Sequence, residues 1–180
     1  MSKTRQLAAI MFTDIVGYTA LMGNDEEKAF RILSKNRVLQ KPIIEQFNGR
    51  WIKELGDGIM ASFNTVSDSV NAAIRIQKES HDVPGLQLTI GIHLGEVVFE
   101  NEDVFGDGVN IASRIQTIAV PGSIYISEAI HNNITNKQGI ETSFVKQVLL
   151  KNVNSPMRIY EVITALKTHS SKISIRESVQ

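Results

Sequence analysis

The order of apolar segments in the first half of this sequence restricts its fold more than any other feature. Runs or alternation of apolar residues indicate strands, and apolar residues that recur on one face indicate helices. By these criteria the chain begins strand, helix, hairpin, helix, strand, with segments at 7–12, from Asn24, 51–63, 66–76 and 86–94. That order is typical of a ferredoxin-like βαββαβ core, in which helices cover one face of an antiparallel sheet. We therefore predict an α+β fold.

The second half adds an extra helix and a closing hairpin to this core. A glycine-rich start at 106–108 opens a helix that we expect to end near Ala119. A strand pattern followed by a helical pattern fills 123–134, and two strand patterns lie between 144 and 163. These elements extend the predicted sheet beyond the core.

Composition sets the domain count and excludes several classes of partner. At 180 residues the chain fits one domain, which we place at 1–164, with a polar tail or the start of a linker at 165–180. Lysine plus arginine equals aspartate plus glutamate at 19 each, so we expect no nucleic-acid partner. The chain has no cysteine, no apolar run long enough for a membrane span and no signal-peptide pattern. We therefore expect a cytoplasmic protein.

Two aspartates stand where apolar segments end. Asp14 lies at the carboxyl end of the first strand, and Asp57 lies at the tip of the hairpin. A purely structural role is an alternative for each, because aspartate side chains often bond backbone amides at turns. If the first strand pairs with the hairpin, both carboxylates meet at one sheet end. There they would suit a hard cation such as Mg²⁺ that also binds substrate phosphates.

Phosphate recognition requires a site other than the familiar glycine-rich loops. The sequence has no Gly-Lys pair for a P-loop, and Ile111 stands where the dinucleotide fingerprint needs its third glycine. Asn110 and Arg114 are spaced i, i+4, so an amide and a guanidinium share one helix face behind a glycine-rich start. The polar face of a surface helix is the alternative interpretation. The four histidines have no metal-ligand spacing and receive no role.

Four motifs resemble those of the class III adenylyl and guanylyl cyclases. MFTDIVGYT looks like the family's first metal-binding motif, and KELGDG looks like the second. VNIASR resembles the transition-state motif, and LKNV followed by RIYEV resembles the closing segment. The four matches stand in family order and span residues 8–163. The chain thus resembles the catalytic domain of a class III nucleotide cyclase, of the bacterial homodimeric adenylyl cyclase type.

The resemblance implies a metal centre and a reaction. Asp14 and Asp57 would hold two divalent cations, Mg²⁺ or Mn²⁺, and the backbone carbonyl of Ile15 would assist. The ribose 3′-hydroxyl of ATP would attack the α-phosphate in line, giving 3′,5′-cyclic AMP and pyrophosphate.

The resemblance also assigns the polar residues around the substrate. Asn110 would orient the ribose, Arg114 would stabilise charge on the α-phosphate, and Lys151 would bind the outer phosphates. Lys53 and Asp103 stand at the purine-reading positions, where lysine donates to adenine N1 and aspartate accepts from the 6-amino group. Guanine presents the reverse polarity, so the pair predicts ATP. A guanylate cyclase and a catalytically silent, cyclase-like regulatory domain are the alternatives.

In this family the site forms between two subunits. One subunit supplies the metal aspartates, and the other supplies the purine pair with the asparagine, arginine and lysine. This chain carries both sets, so the resemblance implies a homodimer with two equivalent shared sites. A covalently linked regulatory domain outside this chain is a further expectation.

Overall fold

The computed structural model describes residues 2–137 and 139–164. The predicted tail or linker start at 165–180 lies outside these residues, so the boundary of the domain stays a prediction. None of the helices in the described part of the chain is both long and apolar enough to cross a bilayer.

Strands and helices follow one another closely along the described residues. In chain order they are β1 (Thr4–Ile15), α1 (Tyr18–Asn24), α2 (Glu26–Gln46), β2 (Arg50–Leu55), β3 (Gly58–Phe63), α3 (Val66–His81), β4 (Leu88–Glu100), β5 (Asp103–Phe105), α4 (Asp107–Ile118), β6 (Ile124–Ser127), α5 (Glu128–Ile134), β7 (Glu141–Val148) and β8 (Met157–Ile163).

The strands form one sheet in the order β2-β3-β1-β4-β6-β8-β7, with β5 paired to the end of β4. β1 is antiparallel to both β3 and β4, whereas β6 runs parallel to β4. The series β1, α2, β2, β3, α3, β4 is the predicted βαββαβ core, and β7 and β8 are the predicted closing hairpin. The α+β fold class is therefore confirmed.

β1 is longer than the apolar run that predicts it. The run indicates a strand that ends near Phe12, but Asp14 and Ile15 continue the antiparallel pairing opposite Thr89 and Leu88 of β4. Asp14 therefore belongs to the strand itself.

The start of α2 differs from the prediction by one residue. Asn24 is the last residue of the short helix α1, which the sequence pattern did not predict. Asp25 caps α2 instead, because its side chain accepts from the backbone N–H of Lys28 at 3.1 Å.

Both faces of the sheet are covered, which explains why the first strand is a continuous apolar run. Ala9 and Met11 pack into the larger core with α2 and α3, while Ile10 and Phe12 pack into a second core under α4. The prediction that helices cover one face therefore holds for the βαββαβ unit, and α4 covers the other face. Because side chains alternate along a strand, Asp14 shares the α4 face.

α4 lies unusually close to the sheet at Gly91 of β4. A Cβ at this position would stand 2.3 Å from the backbone nitrogen of Gln116, so only glycine fits. The Gln116 side chain also donates to the Thr89 hydroxyl at 2.7 Å. These contacts fix the helix that carries Asn110 and Arg114.

Candidate active site

Asp14 and Asp57 come together at a single backbone amide. The N–H of Ile15 lies 3.2 Å from Asp14 Oδ1 and 3.1 Å from Asp57 Oδ2. Antiparallel pairing of Thr13 with Ile59 brings the β2–β3 turn beside the end of β1. The convergence of carboxylates that the sequence predicted is therefore present.

The neighbouring Asp57 carboxyl group affects the ionisation of Asp14. Burial, followed by the hydrogen bond and the like charge of Asp57, raises the pKa of Asp14 to about 7, although the Ile15 N–H acts in the opposite direction. A bound divalent cation would offset the like charge of the two groups. Two carboxyl groups that meet at one amide supply oxygen ligands of the kind that suits a hard cation.

The donor set fits a metal site that the substrate completes. Within residues 2–137 and 139–164, no group of three or more histidine, cysteine, aspartate or glutamate side chains is placed to hold a metal. Asp14, Asp57 and the carbonyl of Ile15 would therefore leave coordination positions for water and phosphate oxygens. Magnesium in nucleotide enzymes is commonly bound in this way.

Asn110, Arg114 and Lys151 line one cavity of about 360 Å³, together with Asp107 and Asn154. Arg114 is half-buried, whereas Asn110 and Lys151 are exposed. The structure therefore brings the three residues that the sequence predicts as phosphate and ribose ligands to one place, although Arg114 and Lys151 are 37 positions apart in the sequence.

Lys151 reaches this cavity because the residue before it is anchored. Leu150 is buried in a small apolar cluster with Ile115 of α4 and Ile159 of β8. Ile115 directly follows Arg114, so the same cluster holds both basic residues in place. The loop between β7 and β8 is thereby attached to α4.

Lys53 and Asp103 form an ion pair in which Lys53 Nζ lies 2.9 Å from Asp103 Oδ2. Asp103 also accepts from the backbone N–H of Val104 at 2.8 Å. The hydrogen bond from Lys53 and then that from Val104 lower the pKa of Asp103. The two predicted purine-reading residues are thus adjacent, and both are only partly exposed.

The position of Asp103 depends on a strand that the sequence pattern did not reveal. β5 pairs with the end of β4 through a tight turn, in which Asn101 and Glu102 have φ values of 52° and 64°. Two residues at positive φ are typical of a two-residue hairpin. Glycine, the usual signal for such a turn, is absent here, so only the asparagine could have indicated it.

The core also contains polar residues that the sequence pattern did not predict. His93 is buried and its Nδ1 lies 2.8 Å from the hydroxyl of Ser127, and burial lowers its pKa to about 4. Asn36 and Gln40 are fully buried on α2. The available signal was the interruption of an apolar helix face by two amides at i, i+4.

The topology and the grouped side chains are those of a class III nucleotide cyclase catalytic domain. The chain belongs to the family described as adenylate and guanylate cyclase catalytic domain, whose sequence profile matches residues 1–164. The resemblance to a class III nucleotide cyclase catalytic domain, stated from the four motifs, is therefore confirmed.

Individual relatives agree with this assignment. The chain is 33% identical over 164 residues to a putative adenylate cyclase 3 of Rhizobium meliloti, covering 87% of this chain and 28% of that protein. Among solved structures, it resembles the crystal structure of an adenylate/guanylate cyclase/hydrolase from Silicibacter pomeroyi. The two chains are 31% identical in sequence and superpose with a TM-score of 0.83, over 90% of this chain and 99% of that one. The chain thus spans less than a third of the Rhizobium protein's length.

A more distant structure supports the fold alone. The adenylyl cyclase CyaB from P. aeruginosa is 22% identical, with a TM-score of 0.81 over 92% of this chain and 97% of that one. The sheet and its helices are therefore shared at low sequence identity.

Proposed function

We propose that this domain is an adenylate cyclase that converts ATP into 3′,5′-cyclic AMP and pyrophosphate. The observation that carries this proposal is the contact between Lys53 and Asp103, which presents a donor and an acceptor 2.9 Å apart. Adenine offers the complementary edge, with N1 as acceptor beside a 6-amino donor. The base would exchange the Lys53–Asp103 bond for two bonds to its own edge, whereas guanine offers the reversed pattern.

Two further features support the same reaction. They are the metal pair, formed by the carboxyl groups of Asp14 and Asp57, and the donor cavity, which Asn110, Arg114 and Lys151 line. Asp14, Asp57 and the carbonyl of Ile15 would hold Mg²⁺ or Mn²⁺, which would neutralise the triphosphate and acidify the ribose 3′-hydroxyl. The ribose 3′-hydroxyl would lose its proton to water, and its oxygen would form a bond to the α-phosphorus. The bond from that phosphorus to the bridging oxygen would break, so that pyrophosphate leaves. No covalent intermediate on the protein is required.

Each residue of the donor cavity has a role that its side chain can perform. Arg114 would direct its planar guanidinium at the charge that develops on the α-phosphate. Lys151 would bind the outer phosphates as a point charge, and Asn110 would fix the ribose. The half-buried position of Arg114 strengthens its electrostatic effect, because water screens it less.

We further propose that two copies of the chain share two sites. α4 turns Gly108, Ala112 and Ile115 toward its own sheet, where all three are buried. Asn110 and Arg114 therefore lie away from that buried stripe, on a side that a second copy could face. A symmetric dimer would place these donors opposite the partner's metal pair.

The domain would act as one part of a longer cytoplasmic protein. The Rhizobium relative is more than three times as long as the matched segment, because that segment covers 28% of it. A regulatory domain joined to residues 1–164 is therefore part of the proposal, with 165–180 as the start of a linker.

Product analysis tests the activity directly. Purified protein is incubated with ATP or GTP and with Mg²⁺ or Mn²⁺, and the products are identified by mass spectrometry. Cyclic AMP formed preferentially from ATP supports the proposal. Preferential cyclic GMP identifies a guanylate cyclase instead, and no cyclic product with either ion identifies a silent regulatory domain.

A further inference from the structure

A chain of polar side chains crosses the apolar core between α2 and β1. Thr13 donates its hydroxyl to Gln40 Oε1 at 3.1 Å, and Gln40 Nε2 donates to Asn36 Oδ1 at 2.7 Å. The three residues are 1%, 0% and 0% exposed, in that order. Among the described residues, the Nδ2 group of Asn36 is buried without a hydrogen-bond partner.

This polar chain is not what stability alone would select. Buried amides lose their hydration, and the unpaired Nδ2 of Asn36 recovers none of it. Ile32 and Ile43 lie on the same buried face of α2 and show that apolar side chains fit there. A hydrogen-bonded chain instead fixes one position of the helix relative to the strand, because its bonds are directional and apolar contacts are not.

The end of the polar chain adjoins the metal pair. Thr13 directly precedes Asp14, and Ile15, the next residue, has the N–H that contacts both carboxylates. The side chain of Thr13 points toward α2, while that of Asp14 lies on the opposite face of the strand. The Thr13–Gln40 bond therefore restrains the backbone from which Asp14 projects.

The same turn of α2 also holds the hairpin that carries Asp57. Arg37 forms two bonds with Glu54 of β2, through Nε to Oε1 and through Nη2 to Oε2, the latter at 2.8 Å. A bidentate pair of this kind restrains orientation as well as distance. Glu54 stands three residues before Asp57 in the strand that leads into the turn.

We propose that the turn of α2 at residues 36–40 positions the two metal-binding carboxylates. Gln40, supported by Asn36, would act on Asp14 through Thr13, and Arg37 would act on Asp57 through Glu54. This inference rests on the proposed metal-binding role of Asp14 and Asp57. Outer-shell partners of metal ligands commonly change metal affinity by about 10-fold to 100-fold when they are removed.

Direct titration of the full chain with Mn²⁺, followed by electron paramagnetic resonance, tests the buried bond. Thr13→Val removes the hydroxyl and keeps the shape, and Gln40→Met removes the amide and keeps the length. We expect each to weaken Mn²⁺ binding by about 10-fold, whereas Thr13→Ser, which keeps the donor, should bind as the wild type does. Both variants remove the Thr13–Gln40 bond, and Gln40→Met also removes the bond to Asn36. The double variant should therefore bind Mn²⁺ no more weakly than Gln40→Met alone.

Two further variants separate positioning from packing. Ile43→Val removes one methylene from the same buried face of α2. Urea unfolding measures the stability that this change costs, and the Mn²⁺ affinity of the folded variant should equal that of the wild type. Arg37→Gln should weaken Mn²⁺ binding less than Gln40→Met does, because the Arg37 pair is partly exposed. If Gln40→Met does not fold, the comparison of Thr13→Val with Thr13→Ser carries the same test.

The outcomes distinguish this inference from the proposed function. If Thr13→Val and Gln40→Met bind Mn²⁺ as tightly as the wild-type protein does, the positioning role is overturned and the cyclase proposal is left intact. A wild-type protein that binds no Mn²⁺ removes the metal assignment and this inference with it. Loss of affinity in Ile43→Val equal to that in Gln40→Met also overturns the positioning role, since packing then explains both.

Discussion

The ammonium group of Lys53 lies 2.9 Å from the carboxylate of Asp103, across 50 positions of sequence. The contact joins β2 to β5, and the two side chains remain 39% and 30% exposed. A charged donor and a charged acceptor are thus held together without being withdrawn from solvent. A purine edge could reach both of them.

Reversing this pair should change nucleotide preference. In Lys53→Glu combined with Asp103→Ser, the donor is replaced by an acceptor, so we expect kcat/KM for ATP to fall by about 10-fold to 100-fold. The value for GTP should fall less. Lys3→Glu is the control for the change of charge, because Lys3 also lies beside an acid, Glu100 at 3.8 Å, at a more exposed position. Equal losses for both nucleotides would show that the pair does not read the base.

Removal of either proposed metal-binding acid should abolish cyclisation and leave the fold intact. We expect Asp14→Ala and Asp57→Ala each to lower kcat by about 1,000-fold or more, because the nucleophile and the triphosphate lose their cations. The midpoint temperature of unfolding should not fall, since each change removes one member of a carboxyl pair in which burial, followed by the hydrogen bond and like charge of Asp57, raises the pKa of Asp14. Steady-state assays and calorimetry measure the two effects. Unchanged activity in either variant would refute the metal assignment.

Two inactive variants should restore each other if the sites are shared. Asp57→Ala and Arg114→Ala would each inactivate both sites of their own dimer. After random exchange of subunits, half of the dimers carry one site with both lesions and one intact site, so we expect about a quarter of wild-type activity. Native mass spectrometry confirms the heterodimers. A mixture with confirmed heterodimers and no activity would leave the shared-site proposal without support.

Gly91 should tolerate no side chain. In Gly91→Ala the new Cβ would meet the backbone of Gln116, so we expect a loss of about 1–3 kcal/mol in the free energy of unfolding and displacement of α4. Catalytic activity should fall with it, because α4 carries Asn110 and Arg114. Gly23→Ala is the control, since nothing lies within 4 Å of a Cβ there. Equal stability of the two variants by urea unfolding would contradict the tight packing.

His93 should make the fold sensitive to acid. Burial lowers its pKa from 6.5 to about 4, so the unfolded chain takes up a proton at a higher pH than the folded protein does. The stabilising contribution is complete above pH 6.5 and is lost as pH falls toward 4, by about 2–3 kcal/mol at pH 4.5. Arg5, Glu96 and Asp107 are the charged residues that line the same cavity as His93.

Comparison with His93→Gln isolates the contribution of the histidine. Urea unfolding at pH 7 and pH 4.5 should show a smaller loss of stability for the variant than for the wild type, because glutamine does not titrate. Identical losses in the two proteins would assign the acid sensitivity to other groups.

Several features were predictable because their signals are local. The Gly-Asp-Gly turn lies between two apolar segments, which places Asp57 at a hairpin tip. The i, i+4 spacing puts Asn110 and Arg114 on one face of a helix wherever that helix lies. β5 was not predicted, because it has only three residues and its turn lacks glycine.

The sequence by itself determined the family, the order of the core elements and the identity of the candidate site residues, since motifs and periodicity depend only on neighbours along the chain. Only the tertiary structure decided that Thr13 bonds Gln40, that Lys53 meets Asp103, and that Asp14 shares an amide with Asp57. The first two pairs are 27 and 50 positions apart, and the shared amide of Ile15 is 42 positions from Asp57. Strand register and helix docking set such contacts, and both are fixed by packing of the whole sheet rather than by any local pattern.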